Sequence, residues 1–195
     1  MWLNNSSKVI AGALVVLTAT LVAGCTPADE VPPTPTTSTP TTTPSASERP
    51  TPSVDPEVST AEAAILEAYR GYWATKVAIL ADPAVEPGTA LEAYAVDTAL
   101  TDVYSTVLTY RSNRIVMVGE PITDPTVSEV VPGVEGTATI TDCVDVGDWQ
   151  PMFRDTGESA AAPGQASEVL TVSTAYFYMD RWTIRTSVVD RDTPC

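Results

Sequence analysis

The chain has 195 residues, with 25 Asp and Glu against 10 Lys and Arg, which gives a net charge of −15. This acidity argues against nucleic-acid binding, because neutralising phosphates requires clustered Lys and Arg. The sequence contains no His, which removes Ser-His and Cys-His catalysis and the most common transition-metal ligand.

Residues 1–24 have the pattern of an export signal. Lys8 precedes the uncharged run Val9–Ala23, which is shorter than the ~20 residues of a bilayer span but fits the apolar region of a signal peptide. The run ends in Val22-Ala23-Gly24-Cys25, which resembles the lipobox of bacterial lipoproteins. The resemblance implies cleavage before Cys25 and a diacylglycerol on its thiol. The partner of this segment is then the membrane, and the location is the extracytoplasmic side of a cell membrane. The alternatives are an ordinary secretory signal with a chance Cys, or an uncleaved anchor.

Residues 25–56 comprise this cysteine and a tether. Thr26–Pro56 contains 9 Pro, 9 Thr and 4 Ser in 31 residues. Such a segment cannot offset its ordering entropy by burying apolar surface, so we expect disorder with an extended polyproline bias. At ~3.1 Å per residue its reach is at most roughly 90–100 Å. The tether is a plain spacer or a stalk whose Thr residues carry O-linked sugars.

Residues 57–195 form a single predicted domain of 139 residues with 8 Lys and Arg against 21 Asp and Glu. The capping-box pattern Ser59–Glu62 predicts a helix that ends at Asp82, before Pro83. Its apolar stripe follows steps of three and four: Ile65, Tyr69, Tyr72, Trp73, Val77 and Leu80. A second capping-box pattern at Thr89–Glu92 predicts another helix, with Asn113 as its left-handed cap.

After Asn113 the apolar period changes from 3.6 to 2. The predicted strands are Arg114–Gly119, Thr126–Val131, Glu135–Asp145, Glu168–Met179 and Trp182–Asp190. A tight hairpin is predicted at Tyr178–Trp182. Helices followed by a run of strands indicate an α+β fold, with N-terminal helices packed on an antiparallel sheet.

This order resembles the nuclear-transport-factor-two-like, cystatin-like cone fold, and in particular small exported lipoproteins of actinobacterial type. The matching residues are Leu91–Ala95, Thr139–Asp145 and Trp182–Ile184 before the terminal Cys195. The resemblance implies a curved, cone-like sheet and an extracytoplasmic compartment. It transfers no catalytic residues, although some relatives of this fold are isomerases, dehydratases or polyketide cyclases.

Two cysteines remain once Cys25 is assigned to lipid. An even pair in an oxidising compartment most simply forms a disulfide, here Cys143–Cys195. Its loop of about 53 residues would contribute ~4 kcal/mol in the chain-entropy model. Two free thiols are the alternative.

Without His, acid–base chemistry would need a carboxylate and a tyrosine in an apolar pocket. The candidates are Asp97, Asp142, Tyr69, Tyr104, Tyr176 and Tyr178. Each also has a structural interpretation as a core or surface residue, and we assign no catalytic residue. Lys76 is the sole lysine after Cys25, and we interpret it as a helix-surface residue whose stem covers apolar surface.

No cofactor or metal motif is present. Asp142, Asp145 and Asp148 recur by threes, but they lack the spacing of a calcium loop, and a strand sends the first two to opposite faces. The segment Val146–Ser167 is long for a loop. Its apolar residues either add a short strand or cover a pocket or partner site.

The sequence therefore predicts a membrane-anchored, non-catalytic module that binds an unknown extracytoplasmic protein or small ligand. The alternative is a small-molecule or lipid carrier, or an isomerase- or dehydratase-like enzyme that uses the cone cavity. The residues predicted to contact a cavity or partner are aromatic: Tyr72, Trp73, Tyr104, Trp149, Phe153 and Trp182.

Overall fold

A computed structural model describes residues 55–195. The predicted signal, Cys25 and the tether up to residue 54 lie outside the described residues. The elements in chain order are α1 (Pro56–Ala81), a 3₁₀ turn (Ala90–Ala93), α2 (Asp97–Asn113), β1 (Ile115–Val118), β2 (Thr126–Val131), β3 (Thr137–Asp145), β4 (Gln150–Phe153), β5 (Glu168–Tyr178) and β6 (Arg181–Asp190). Helices precede antiparallel strands, so the predicted α+β class is confirmed. Among these residues, no helix has both the length and the apolar character that a membrane crossing requires.

Helix α1 begins earlier than predicted. Its cap is Asp55, whose carboxylate accepts a hydrogen bond from the Glu57 backbone N–H at 2.9 Å, and Pro56 occupies the first turn. Proline is favoured there because its missing N–H would have no helical partner. The Asp55-Pro56 signal therefore starts the helix before the capping-box pattern that begins at Ser59. The helix ends before Asp82, as predicted.

The second predicted helix is divided into two pieces. The pattern at Thr89 predicts a continuous helix, whereas the structure has one 3₁₀ turn at Ala90–Ala93 and then α2 from Asp97. Asn113 is the last helical residue, and the left-handed position is Arg114 (φ 56°), one residue later than predicted.

Pairing with the sheet explains this break. The Ile184 backbone N–H donates to the Tyr94 carbonyl at 2.7 Å, and the Val96 N–H donates to the Ile184 carbonyl at 2.9 Å. Ala95, between them, is fully buried. Because these backbone groups bond to the sheet, they cannot also extend a helical ladder, and tertiary contacts override local propensity.

The strands form two antiparallel sheets in the described part of the chain. One has the order β2-β3-β5-β6, and the other pairs β1 with β4. The β5–β6 hairpin turns through Met179 and Asp180, both at positive φ (48° and 60°). A two-residue turn of this kind matches the twist of the strands, so the predicted hairpin is confirmed. Strand β4 lies inside the segment predicted as a long loop.

The core lies where the helices pack against the strands. Helix α1 contacts β1, β2 and β6, and α2 contacts β1 and β6. The predicted stripe of α1 faces this core, with Val77 only partly buried and these residues fully covered: Ile65, Tyr69, Tyr72, Trp73 and Leu80.

No bond joins Cys143 and Cys195 in the structure, and the predicted disulfide stays a prediction. The pair approaches to 2.6 Å without a bond. Hydrogen bonding to the Cys143 thiol raises the pKa of the Cys195 thiol to about 11. The fold brings Cys143 and Cys195 together on the exposed side of β3, but no covalent bond closes the loop between them.

Candidate ligand-binding site

A cavity of about 540 Å³ is lined by residues of α1, β1, β4 and β5, among others. Helix α1 contributes Trp73 and Lys76, α2 contributes Tyr110, and Trp149 enters just before β4. Residues of the 160–167 segment complete the wall. The segment after Val146 therefore provides both a short strand and part of a cavity wall. The volume is within the ~300–1,000 Å³ typical of small-ligand sites.

Lys76 places its ammonium against aromatic rings. Its Nζ atom lies 4.2 Å from the ring centroid of Trp73, 5.6 Å from that of Tyr72 and 5.8 Å from that of Trp149. Burial lowers the pKa of Lys76 to about 8, and the charge of Asp102 opposes this only in part. Within residues 55–195, no carboxylate forms an ion pair with Lys76. Aromatic faces stabilise this cation in place of a counter-charge.

Three buried polar atoms on the cavity walls have no hydrogen-bond partner among the described residues: Trp73 Nε1, Trp149 Nε1 and Thr171 Oγ1. The Trp73 N–H lies toward the Tyr69 hydroxyl and lowers the pKa of Tyr69, although burial raises that pKa by more. Trp149 and Thr171 are therefore the stronger evidence. They are 8% and 1% exposed, and buried polar groups in native proteins nearly always have partners.

A separate groove of about 810 Å³ borders the N-terminal half of α1. Its aromatic residues are Tyr94, Phe177 and Trp182. The Tyr94 ring packs flat on α1 at Gly71, where a Cβ would lie only 2.2 Å from Tyr94 Cε1. In the described part of the chain, none of the groove residues carries a buried unpaired polar atom. The groove is lined by apolar residues together with Glu57, Glu67, Asp180 and Arg181.

Of the six predicted contact residues, three line the cavity or the groove, and a fourth is buried in the core. Trp73 and Trp149 line the cavity, and Trp182 lines the groove. Tyr72 is 2% exposed and fills the space between helix and sheet.

The other two predicted contact residues lie elsewhere. The Tyr104 hydroxyl donates to the Gly88 carbonyl at 3.0 Å, beside a shallower pocket. Phe153 is 39% exposed on β4. Neither lines the cavity or the groove, so the structure does not bring all six aromatic residues together.

Asp142 and Tyr69 form the buried carboxylate–tyrosine pair that the sequence could only suggest. The Tyr69 hydroxyl donates to Asp142 Oδ2 at 3.0 Å, and the Asp124 backbone N–H donates to Oδ1 at 3.0 Å. Burial raises the pKa of both groups. Neither residue lines the cavity or the groove. The pair therefore joins α1 to β3 and is closed to a substrate.

The remaining acid–base candidates lie on the surface. Asp97 pairs with Arg185 at 2.7 Å, with both side chains about half exposed. Tyr176 and Tyr178 stack on each other at 6.4 Å between ring centroids. They lie away from the cavity and form no acid–base pair with one another.

The three aspartates that recur after Thr141 do not converge. Asp142 is buried, and the Asp145 carboxylate accepts a hydrogen bond from the Gly147 N–H at 2.8 Å. Among the described residues, no group of three or more His, Cys, Asp or Glu side chains is arranged to hold a metal ion.

Sequence reasoning missed Lys76 and Thr171 as site residues. The only local signal for Lys76 was its spacing three residues after Trp73, which places both on one helix face. Thr171 had no signal, because inward-facing Thr is ordinary in a strand. Their convergence depends on the packing of α1 against the sheet.

The sequence matches no protein-family profile and no curated protein. Among solved structures, it is similar to the intermembrane space region of the chloroplast protein ARC6, with a TM-score of 0.43 and 10% sequence identity. The alignment covers 72% of this chain and 100% of that one. A similarity at this level carries no functional argument.

Proposed function

We propose that this protein is a membrane-anchored extracytoplasmic lipoprotein whose acidic domain is a non-catalytic binding module for a small ligand. The lipobox-like sequence before Cys25 supports the anchor, and the Pro- and Thr-rich tether would hold the domain away from the membrane.

The observation that carries the binding role is the cavity with its unpaired polar atoms. The Trp149 indole N–H and the Thr171 hydroxyl are buried without partners in the described residues. Leaving such a group unpaired costs about 1–3 kcal/mol. A ligand that reached these atoms and accepted their hydrogen bonds would recover that free energy, which would favour binding in the cavity.

The arrangement of Asp142 supports a non-catalytic role. An acid–base enzyme needs its carboxylate within reach of substrate. Both oxygens of Asp142 accept internal hydrogen bonds, and the residue is 1% exposed. The Asp142 carboxylate therefore bonds to groups within the protein and presents no free lone pair to a substrate.

The cone-like fold is part of this proposal. Its support is the order of two helices followed by antiparallel strands, with the helices packed against the sheet. An experimental structure tests it: a sheet that curves around the helices is expected, and a flat sheet would contradict it.

The alternative function is a small-molecule or lipid carrier. The groove bordered by Tyr94, Phe177 and Trp182 favours it, because a groove of about 810 Å³ with this aromatic wall has room for an acyl chain. A carrier that used the groove would be insensitive to substitutions at Trp149, on the other site.

Substitution of Cys25 tests the anchor. We expect Cys25→Ala to move the protein from the membrane to the soluble or secreted fraction, because acyl chains supply the membrane affinity. Cys143→Ala is the matched control, since that thiol lies within the folded domain and should leave the fractionation unchanged. Membrane retention of the Cys25→Ala protein would refute lipid anchoring.

A further inference from the structure

The charge around the cavity is opposite to that of the domain. Residues 57–195 carry 21 Asp and Glu against 8 Lys and Arg. Among the described residues, no Asp or Glu lines the cavity, whereas Lys76 and Arg191 both do. An acidic domain thus has a basic pocket.

From this we propose that the cavity binds a small, singly charged organic anion with an apolar body, whose charged head pairs with Lys76. The inference rests on the proposed binding function and specifies its ligand class. A partly buried ammonium without a carboxylate partner is costly unless something compensates its charge.

Two other residues that line the cavity have unpaired polar atoms that match an anionic head. The Trp149 indole N–H is a donor only, and the Thr171 hydroxyl can donate or accept. Both are unpaired and buried. A carboxylate is acceptor-only and can accept several hydrogen bonds at once. It would satisfy these groups and the charge of Lys76 together.

The walls match an apolar body. Trp73, Tyr110, Ile115 and Met117 line the same cavity, and side chains of this kind commonly cover the body of a bound small molecule. An organic cation is disfavoured because Lys76 and Arg191 would repel it. A neutral ligand would leave the ammonium without a counter-charge.

Matched probes that differ in charge test this inference. The full chain, reconstituted in nanodiscs of zwitterionic lipid, is titrated calorimetrically with 1-naphthaleneacetate and with its neutral amide, 1-naphthaleneacetamide. Empty nanodiscs provide the baseline for partitioning into lipid. We expect the acid to bind at least about tenfold more tightly than the amide, because only the acid can pair its charge with Lys76.

Lys76→Met keeps most of the stem and removes the charge. It should reduce the affinity for the acid to that for the amide and leave the affinity for the amide unchanged. Arg70→Met is the matched control, because Arg70 is exposed on the same helix and does not line the cavity. Trp149→Phe keeps a ring and removes the N–H, so it should also weaken the acid selectively. This variant covers the case in which Lys76→Met fails to fold, which circular dichroism detects.

Equal affinity for acid and amide would overturn the anion inference and leave the binding function standing. Binding of neither probe would overturn the inference and also the cavity as the site of the proposed function. A loss of acid binding in Arg70→Met equal to that in Lys76→Met would assign the effect to net charge and overturn the role of Lys76.

Discussion

At the scale of single residues, Lys76 lies half-buried with its ammonium against aromatic rings. It is the one lysine of residues 57–195, and its nearest partners are the faces of Trp73, Tyr72 and Trp149. Arginine is the more common residue over aromatic rings, but lysine changes its protonation readily when it is buried. The cavity therefore has a pH dependence in a range accessible to experiment.

The pH dependence of stability provides a test. The folded-state pKa of Lys76 is about 8, below its ordinary value of 10.5. Between these values the unfolded chain binds more protons, so Lys76 makes stability rise as the pH rises through this window. Relative to Lys76→Met, we expect the unmodified protein to gain about 1–2 kcal/mol between about pH 7 and pH 10, less than the full shift because the side chain keeps some solvent contact.

Urea denaturation at both pH values measures this gain, and the comparison with the variant cancels the other groups that titrate there. The charged and titratable groups around Lys76 are Asp102 and Tyr110 of α2, Tyr72 of α1, and Arg191 after β6. An identical pH dependence in the two proteins would show that Lys76 is fully hydrated.

At the scale of secondary-structure elements, the cavity depends on the close approach of β1 to the turn before β4. Gly119 follows β1 at φ 81°, and a Cβ on it would lie 1.9 Å from the Asp148 carbonyl oxygen. That carbonyl directly precedes Trp149, which lines the cavity. Only a residue without a side chain permits both the backbone conformation and this contact.

We therefore expect Gly119→Ala to destabilise the domain by about 2–4 kcal/mol. Gly88→Ala is the matched control: it also has a positive φ (62°), but nothing lies within 4 Å of its Cβ position. Its cost should be only about 1 kcal/mol, from the left-handed backbone alone. Thermal or urea unfolding compares the two, and equal losses would rule out the contact with Asp148 as the cause.

At the scale of the whole molecule, the hydrophobic core that the structure describes lies within residues 55–195. The core residues on α1, α2 and the strands all belong to this range, and no metal-ligand cluster occurs within it. Its 139-residue domain is long enough for a core of its own. Its stability should therefore require neither the preceding segment nor a metal ion.

A fragment that starts at Asp55 is expected to unfold cooperatively, within a few degrees of the full chain, and chelation with EDTA should not shift its midpoint. Circular dichroism on heating measures both. A fragment without a transition would show that the segment before Asp55 contributes to the core. A midpoint lowered by EDTA would reveal a bound metal.

The sequence by itself determined the α+β class, the end of α1 at Asp82 and the β5–β6 hairpin. These features are local: a residue before proline avoids the helical region, and a period of two or of 3.6 follows from backbone geometry. The sequence also suggested aromatic contact residues, of which Trp73 and Trp149 line the cavity.

Only the tertiary structure decided the rest. The second helix breaks because Tyr94 and Val96 bond to Ile184, a strand residue remote in the chain. Cys143 and Cys195, far apart in the chain, lie next to each other. Lys76 and Thr171 line one cavity because α1 packs against the sheet that contains β5. Each of these outcomes depends on contacts between distant segments, and no local pattern in a single sequence encodes which distant segment a residue will contact.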